Sequence, residues 1–111
     1  MLDLKILTKI EELDAYSHQA MTQFPKYEKF VLCADMRKTI AMIIRLTVAT
    51  AKKYHKKTTL QDLDIEVEYL RALIRKCHRM KYINIHRYEV WIGHVNEIGK
   101  MIGGWMKSEK G

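Results

Sequence analysis

The chain holds one proline, five glycines and two cysteines among 111 residues, and it has no apolar run near the ~20 residues that a membrane-spanning helix needs. Each scarcity removes a class of protein. With Pro25 alone to break helices, and glycines only from Gly93 onward, loops are short and the chain reads as all-helical. Cys33 and Cys77 lie in apolar helical patterns and in no C-x-x-C motif, so a disulfide scaffold is excluded and two reduced, buried thiols in a cytoplasmic protein are expected. Asp3, Glu11 and Glu12 interrupt the N-terminal pattern, which argues against a signal peptide. Catalytic constellations are missing too. His18, His55, His78, His86 and His94 are scattered, with no H-E-x-x-H, no paired Glu-x-x-His and no phosphate-cradling glycine loop before a helix. Cys77 and His78 are adjacent and point about 100° apart on a helix, too divergent for one metal or for a nucleophile and its base. The expectation is a protein without metal, cofactor or enzymatic activity.

What the chain has in excess is positive charge: 20 Lys and Arg against 13 Asp and Glu, a formal net charge of +7. Such a balance favours nucleic acid or another acidic partner. The excess is concentrated. From Tyr69 to Tyr88 the chain carries Arg71, Arg75, Lys76, Arg79, Lys81 and Arg87 and no acid, directly after Asp62, Asp64, Glu66 and Glu68. Acids early and bases late suit the dipole of one helix. The dipole does not explain why Arg71, Arg75 and Arg79 stand at i, i+4 and i+8, where like charges repel. A phosphate-bearing partner relieves that repulsion, whereas a solvated face tolerates it. Lys52, Lys53, Lys56 and Lys57 form a second basic group, which either compensates a helix dipole and neutralises Asp62 and Asp64 or adds contacts to nucleic acid.

Apolar spacing organises the chain into four helical segments in one domain, residues 1–111. The first runs from about Leu4 to Gln23 with Ile6, Ile10, Leu13, Ala20, Met21 and Phe24 on its inner side. Phe24-Pro25 marks a bend. The second segment, read as the longest, continues to about His55, roughly 30 residues or ~45 Å, and would bury Phe30, Cys33, Ala34, Ile40, Ile43, Ile44, Val48, Ala51 and Tyr54. Thr58 or Thr59 caps the third, with Gln61 or Asp62 completing a capping box, and Leu63, Val67, Leu70, Leu73, Ile74, Cys77 and Met80 face inward. Asn84 or His86 caps the fourth, which buries Tyr88, Trp91, Ile92, Val95, Ile98 and Ile102 and stops at Gly103-Gly104, with a few frayed residues after Lys107. Short links make neighbours antiparallel, giving an up-down-up-down four-helix bundle. Gly99 and Gly103, four apart, admit a close helix from another subunit beside Trp105, or else Gly103 simply ends the helix with Trp105 over the core bottom. Tyr82, Tyr88 and Trp91 lie near the basic stretch, but aromatics at helical spacing are more often core than base-stacking groups.

Three segments carry a family likeness: Phe24-Pro25-Lys26-Tyr27-Glu28-Lys29, Leu70-Arg71-Ala72-Leu73-Ile74-Arg75, and, most specifically, Glu97-Ile98-Gly99-Lys100-Met101-Ile102-Gly103-Gly104-Trp105-Met106-Lys107-Ser108. Along nearly its whole length the chain resembles Avd, the accessory variability protein of diversity-generating retroelements. The first segment is shared with a sister group, the four-helix-bundle proteins of ribosomal RNA intervening sequences. That group carries a stretch like I-P-A-N-I-A-E-G where this chain has Ile43-Ile44-Arg45-Leu46-Thr47-Val48-Ala49-Thr50. The resemblance implies a non-catalytic homopentamer that binds the element's reverse transcriptase and template RNA and supports mutagenic cDNA synthesis and retrohoming. It places contacts to RNA or polymerase on Arg71 and Arg75. Lys76, Arg79, Lys81 and Arg87 extend that surface by position alone. The rival reading is a structural or scaffold oligomer of the intervening-sequence type that docks an acidic protein.

Overall fold

The computed structural model describes residues 4–110, so Asp3 lies outside the described residues. Four long helices and one single-turn helix account for the chain: α1 Leu4–Met21, α2 Lys26–Lys29, α3 Leu32–Lys52, α4 Lys57–Arg79 and α5 Ile85–Lys110. No strand occurs among the described residues. Neighbouring long helices run antiparallel, and α1 closes the arrangement by packing on both α3 and α5. One core runs through the bundle, from Ile6, Ile10 and Leu13 of α1 and Met36, Ile40 and Ile43 of α3 to Leu63, Val67 and Leu70 of α4 and Trp91, Val95 and Ile98 of α5. Its helical periodicity is why the chain folds this way: each helix offers one apolar face that water disfavours.

The expected second helix is interrupted. Val31 adopts φ −116° and ψ −83°, outside the helical region, so the segment divides into α2 and α3. The break carries Phe30 out of the core. Phe30 is 89% exposed, although at unbroken helical spacing it would have shared the face of Cys33. Tyr54 is exposed because α3 ends at Lys52 and Tyr54 follows in the connection, and Val48 is exposed because it lies on the outer face of α3 with Lys38 and Arg45. The longest helix is therefore α5, with 26 residues. It runs through Gly103 and Gly104, which cost about 1 kcal/mol each relative to alanine. Trp105 and Met106 pack against the core just beyond them, and that burial outweighs the glycine cost.

The helix ends show which side chains satisfy unpaired backbone groups. Asn84 caps α5, its Oδ1 accepting the Arg87 amide at 2.8 Å. Neither Thr58 nor Thr59 caps α4, which starts at Lys57; Thr59 instead donates its hydroxyl to the Lys56 carbonyl at 3.1 Å. Two lysines close the C-termini of the preceding helices. Lys29 Nζ donates to the carbonyls of Met21 and Thr22 at 2.7 and 3.0 Å, and Lys56 Nζ to those of Thr50, Ala51 and Lys53 at 2.8, 3.3 and 2.5 Å.

At the end of α4 the Tyr82 amide reaches the Cys77 carbonyl and the Lys81 amide the His78 carbonyl, both at 3.0 Å, the two bonds of a Schellman motif. Lys81 holds the left-handed position, φ 64°, where glycine carries no steric penalty. Replacing Lys81 by glycine is expected to raise folding stability by about 0.5–1 kcal/mol, the left-handed cost being partly offset by glycine's greater unfolded entropy. Urea midpoints of the two proteins check this, and a lower midpoint for the glycine variant would mean that the lysine side chain makes a stabilising contact.

Both cysteines are free and buried. Desolvation pushes the Cys77 thiol up to about 12 from its ordinary 9.0 and raises Cys33 as well. The Tyr82 hydroxyl is raised too, first by its hydrogen bond to Tyr27 and then by the Glu28 carboxylate. All three groups bind protons more tightly folded than unfolded. Their contribution is complete below about pH 9 and is lost as pH rises from there toward 12. The urea midpoint is expected to fall between pH 8 and pH 10.5, and to fall less in Cys77→Ala.

Candidate nucleic-acid interface

Helix α4 divides lengthwise by charge. Its second and third turns hold Asp62, Asp64, Glu66 and Glu68, and its last three turns hold only bases among their charged residues. Arg75, Lys76 and Arg79 are exposed, and together with Ala72 and Met80 they line a shallow groove on the outer face. Lys81 is exposed one residue beyond the C-cap. None of these four side chains makes a hydrogen bond or ion pair among the described residues. Four exposed cations thus lie at one end of the bundle without a protein partner among the described residues.

Two members of the sequence stretch have other roles. Arg71 is turned into the groove between α4 and α5 with its side chain 22% exposed. Its Nε donates to Asn96 Oδ1 at 2.9 Å and its Nη1 to Glu68 Oε1 at 2.9 Å. No acid lies between Tyr69 and Tyr88, and Arg71 takes its carboxylate from Glu68, one turn earlier on α4. Gly99 is part of the same seat, because a Cβ there would overlap Arg71 Nη2. What approaches this glycine within the chain is a guanidinium. Arg87 leaves the stripe on the other side: it is half-buried, its guanidinium lies over the Tyr16 ring of α1 at 5.4 Å, and its buried Nη1 has no hydrogen-bond partner. Polar side chains from Gln19, Thr22, Gln23 and Asn84 border the small cavity beside it.

The remaining candidates lie elsewhere. Lys52, Lys53 and Lys57 are exposed at the opposite end of α4, about 30 Å away by helix length. Lys56 is occupied by the α3 carbonyls, and none of the four pairs with Asp62 or Asp64 among the described residues. Gly103 and Gly104 are exposed with open space over their Cα atoms, and Trp105 is half-buried against the core.

The aromatics near the basic stretch are engaged internally. Trp91 is fully buried, with Nε1 donating to Ser17 Oγ at 2.8 Å. Tyr88 stacks on His78 at 4.8 Å, and Tyr82 packs on Phe24 at 5.2 Å while donating to Glu28 Oε2 at 2.7 Å. The aromatics at this end with mainly exposed side chains are Tyr27 and Phe30, 69% and 89% exposed. Sequence periodicity assigns Phe30 to the core, and only Pro25 hints at the break that exposes it.

Among the described residues no three His, Cys, Asp or Glu side chains are grouped to hold a metal ion, and no helix is long and apolar enough to cross a membrane. The surface is suited to binding a polyanion by charge. Comparison with curated proteins finds no match to the chain. A family model described as bAvd-like matches residues 4–109.

Proposed function

The chain belongs to the bAvd-like family, an accessory, non-catalytic kind of protein associated with retroelements, and from that premise we propose that it binds the reverse transcriptase and template RNA of its element. In that complex it supports mutagenic cDNA synthesis and retrohoming without catalytic residues of its own. The observation that carries the reading is the set of unpaired cations at the end of α4: Arg75, Lys76, Arg79 and Lys81, with no acid from Tyr69 to Tyr88. Packing such charges together is unfavourable in isolation, and a polyanion that releases counterions relieves it. Lys81 adds to the argument, since a lysine stands where glycine would be sterically cheaper.

Assembly into the fivefold ring that the family likeness implies would repeat this surface and make weak phosphate contacts multivalent. Two outward faces support self-association. On α3, Ala41, Met42 and Val48 form an apolar stripe with Lys38 and Arg45, and on α4, Ile65 and Tyr69 are exposed beside Asp62. The two stripes carry opposite charge and sit on adjacent helices, a pairing that allows head-to-tail contact between copies.

The test is copurification with the element's own reverse transcriptase and template RNA, using wild type and the Arg75→Glu, Arg79→Glu double variant, with solution mass measured for each. Wild type is expected to form a ternary complex that the double variant loses while keeping its oligomeric mass. A wild type that takes up neither partner at moderate salt would overturn the proposal.

A further inference from the structure

The bundle end that carries the unpaired cations also carries the largest group of exposed apolar side chains: Tyr27 at 69%, Phe30 at 89%, Val31 at 61%, Met80 at 50% and Ile85 at 55%. The antiparallel topology brings them there, because the α2–α3 junction, the end of α4 and the start of α5 share one end of the molecule. One contact ties the aromatic group to the segment that follows the cations. Tyr27 Oη lies 3.3 Å from Tyr82 Oη, and Tyr82 directly follows Lys81. Tyr82 is itself fixed by Glu28 and by Phe24, so the Tyr27 ring is tethered to a rigid part of the fold. Phe30 is the C-cap of α2, three residues on from Tyr27 with its backbone still near helical values (φ −95°, ψ −5°), a spacing that puts the two residues on one side of the turn.

Exposed aromatic rings at the same end of the bundle as unpaired cations supply the chemistry that holds single-stranded nucleic acid: every base has a face on which a ring can stack, and the cations follow the phosphates. A duplex keeps its bases stacked internally and offers such rings nothing. An acidic protein surface would also meet the charges, yet it gives no reason for two planar rings to stand in water beside them. We propose that Tyr27 and Phe30 form a stacking platform for unpaired bases of a single-stranded nucleic acid whose phosphates lie against Arg79, Lys81 and Arg75. The proposal rests on the nucleic-acid-binding reading above and specifies its mode. The single-turn α2 then has a purpose: the backbone break at Val31 releases Phe30 from the core face and presents it to the ligand.

Fluorescence anisotropy with a labelled 15-nucleotide single-stranded RNA and a duplex RNA of equal length tests it, using wild type, Phe30→Ala, Phe30→Trp, Tyr27→Phe and Arg75→Glu, Arg79→Glu. Wild type is expected to prefer the single strand. Phe30→Ala is expected to weaken single-strand binding by about 5- to 100-fold with duplex binding and melting temperature unchanged. Phe30→Trp keeps a ring at that position and is expected to restore the single-strand affinity that Phe30→Ala loses, with the new tryptophan quenched on binding, whereas Tyr27→Phe keeps its ring but loses the tether to Tyr82 and is expected to be weakened less than Phe30→Ala. Single-strand binding that is indifferent to Phe30→Ala, or a preference for duplex, would overturn the platform while leaving a charge-dependent interface in place. Loss of polymerase capture in Phe30→Ala with RNA affinity intact would overturn it as well, and would assign the rings to the protein partner. Wild type that binds neither RNA, or binding unaffected by the arginine reversals, would instead overturn the nucleic-acid reading itself.

Discussion

Replacing Trp91 by alanine is expected to remove about 3–5 kcal/mol of folding stability. That is a large share of the ~5–15 kcal/mol available to a domain of this size. Trp91 is 0% exposed and stands where α1 and α5 meet, with the Tyr16 ring edge-on at 6.4 Å. Its indole donates to Ser17 Oγ, and Ser17 in turn donates to the Leu13 carbonyl at 2.7 Å, so the one polar atom of the indole is satisfied deep in the core. Alanine leaves a cavity that helices on both sides close only in part. Phe30→Ala, which removes an equally aromatic but exposed side chain, is expected to leave the melting temperature nearly unchanged. Thermal and urea unfolding of the two variants side by side read the contrast, and equal effects would mean that the burial difference between the two rings is not what governs stability.

Reversal of Arg75 and Arg79 to glutamate is expected to weaken RNA binding on the order of 100-fold, about tenfold for each lost charged contact at roughly 1.5 kcal/mol. Binding should also become less sensitive to salt. The slope of log affinity against log salt falls by about 0.7 for each single-strand phosphate no longer contacted. Because these side chains are exposed and without partners among the described residues, the variant is expected to stay folded and to lose only about 1 kcal/mol of folding stability, from acids placed at the negative end of the α4 dipole. Arg71→Glu provides the contrast within the same helix. It breaks the bonds to Asn96 and Glu68 and places a carboxylate next to Glu68, so its first effect is expected on the α4–α5 seam and its effect on RNA binding is expected to be smaller. If Arg71→Glu abolished binding while Arg75→Glu, Arg79→Glu did not, the interface would lie in the α4–α5 groove.

Most of the interior of α4 and α5 was legible from spacing alone, the exception on α4 being Met80, which spacing assigns to the inner face and which is 50% exposed at the C-cap. Leu63, Val67, Leu70, Leu73, Ile74 and Cys77 are buried on α4, as are Trp91, Val95, Ile98 and Ile102 on α5. In these stretches local periodicity and tertiary burial give the same instruction. The Asn84 cap was legible for a similar reason, since capping is a contact among residues three apart. The concentration of bases after Tyr69 and the family likeness are likewise properties of the residues in order.

Only tertiary structure decided the rest, because it turned on contacts between residues far apart. Arg71 was indistinguishable from Arg75 in the sequence, both belonging to one i, i+4 series. Asn96, 25 positions away, and the gap at Gly99 drew Arg71 into the α4–α5 groove and left Arg75 in water. Arg87 went to the Tyr16 ring of α1 for the same kind of reason. Gly103-Gly104 reads as a helix stop on propensity, and the packing of Trp105 and Met106 on the core carried α5 past it. Phe30 fits a helical apolar stripe, and one non-helical residue, Val31, rotated it out to solvent. Sequence fixes which faces are apolar and where charge accumulates, since these depend on neighbours within a turn or two. Which cations remain unpaired and which rings remain uncovered depends on what the other helices bring alongside, and packing alone decides that.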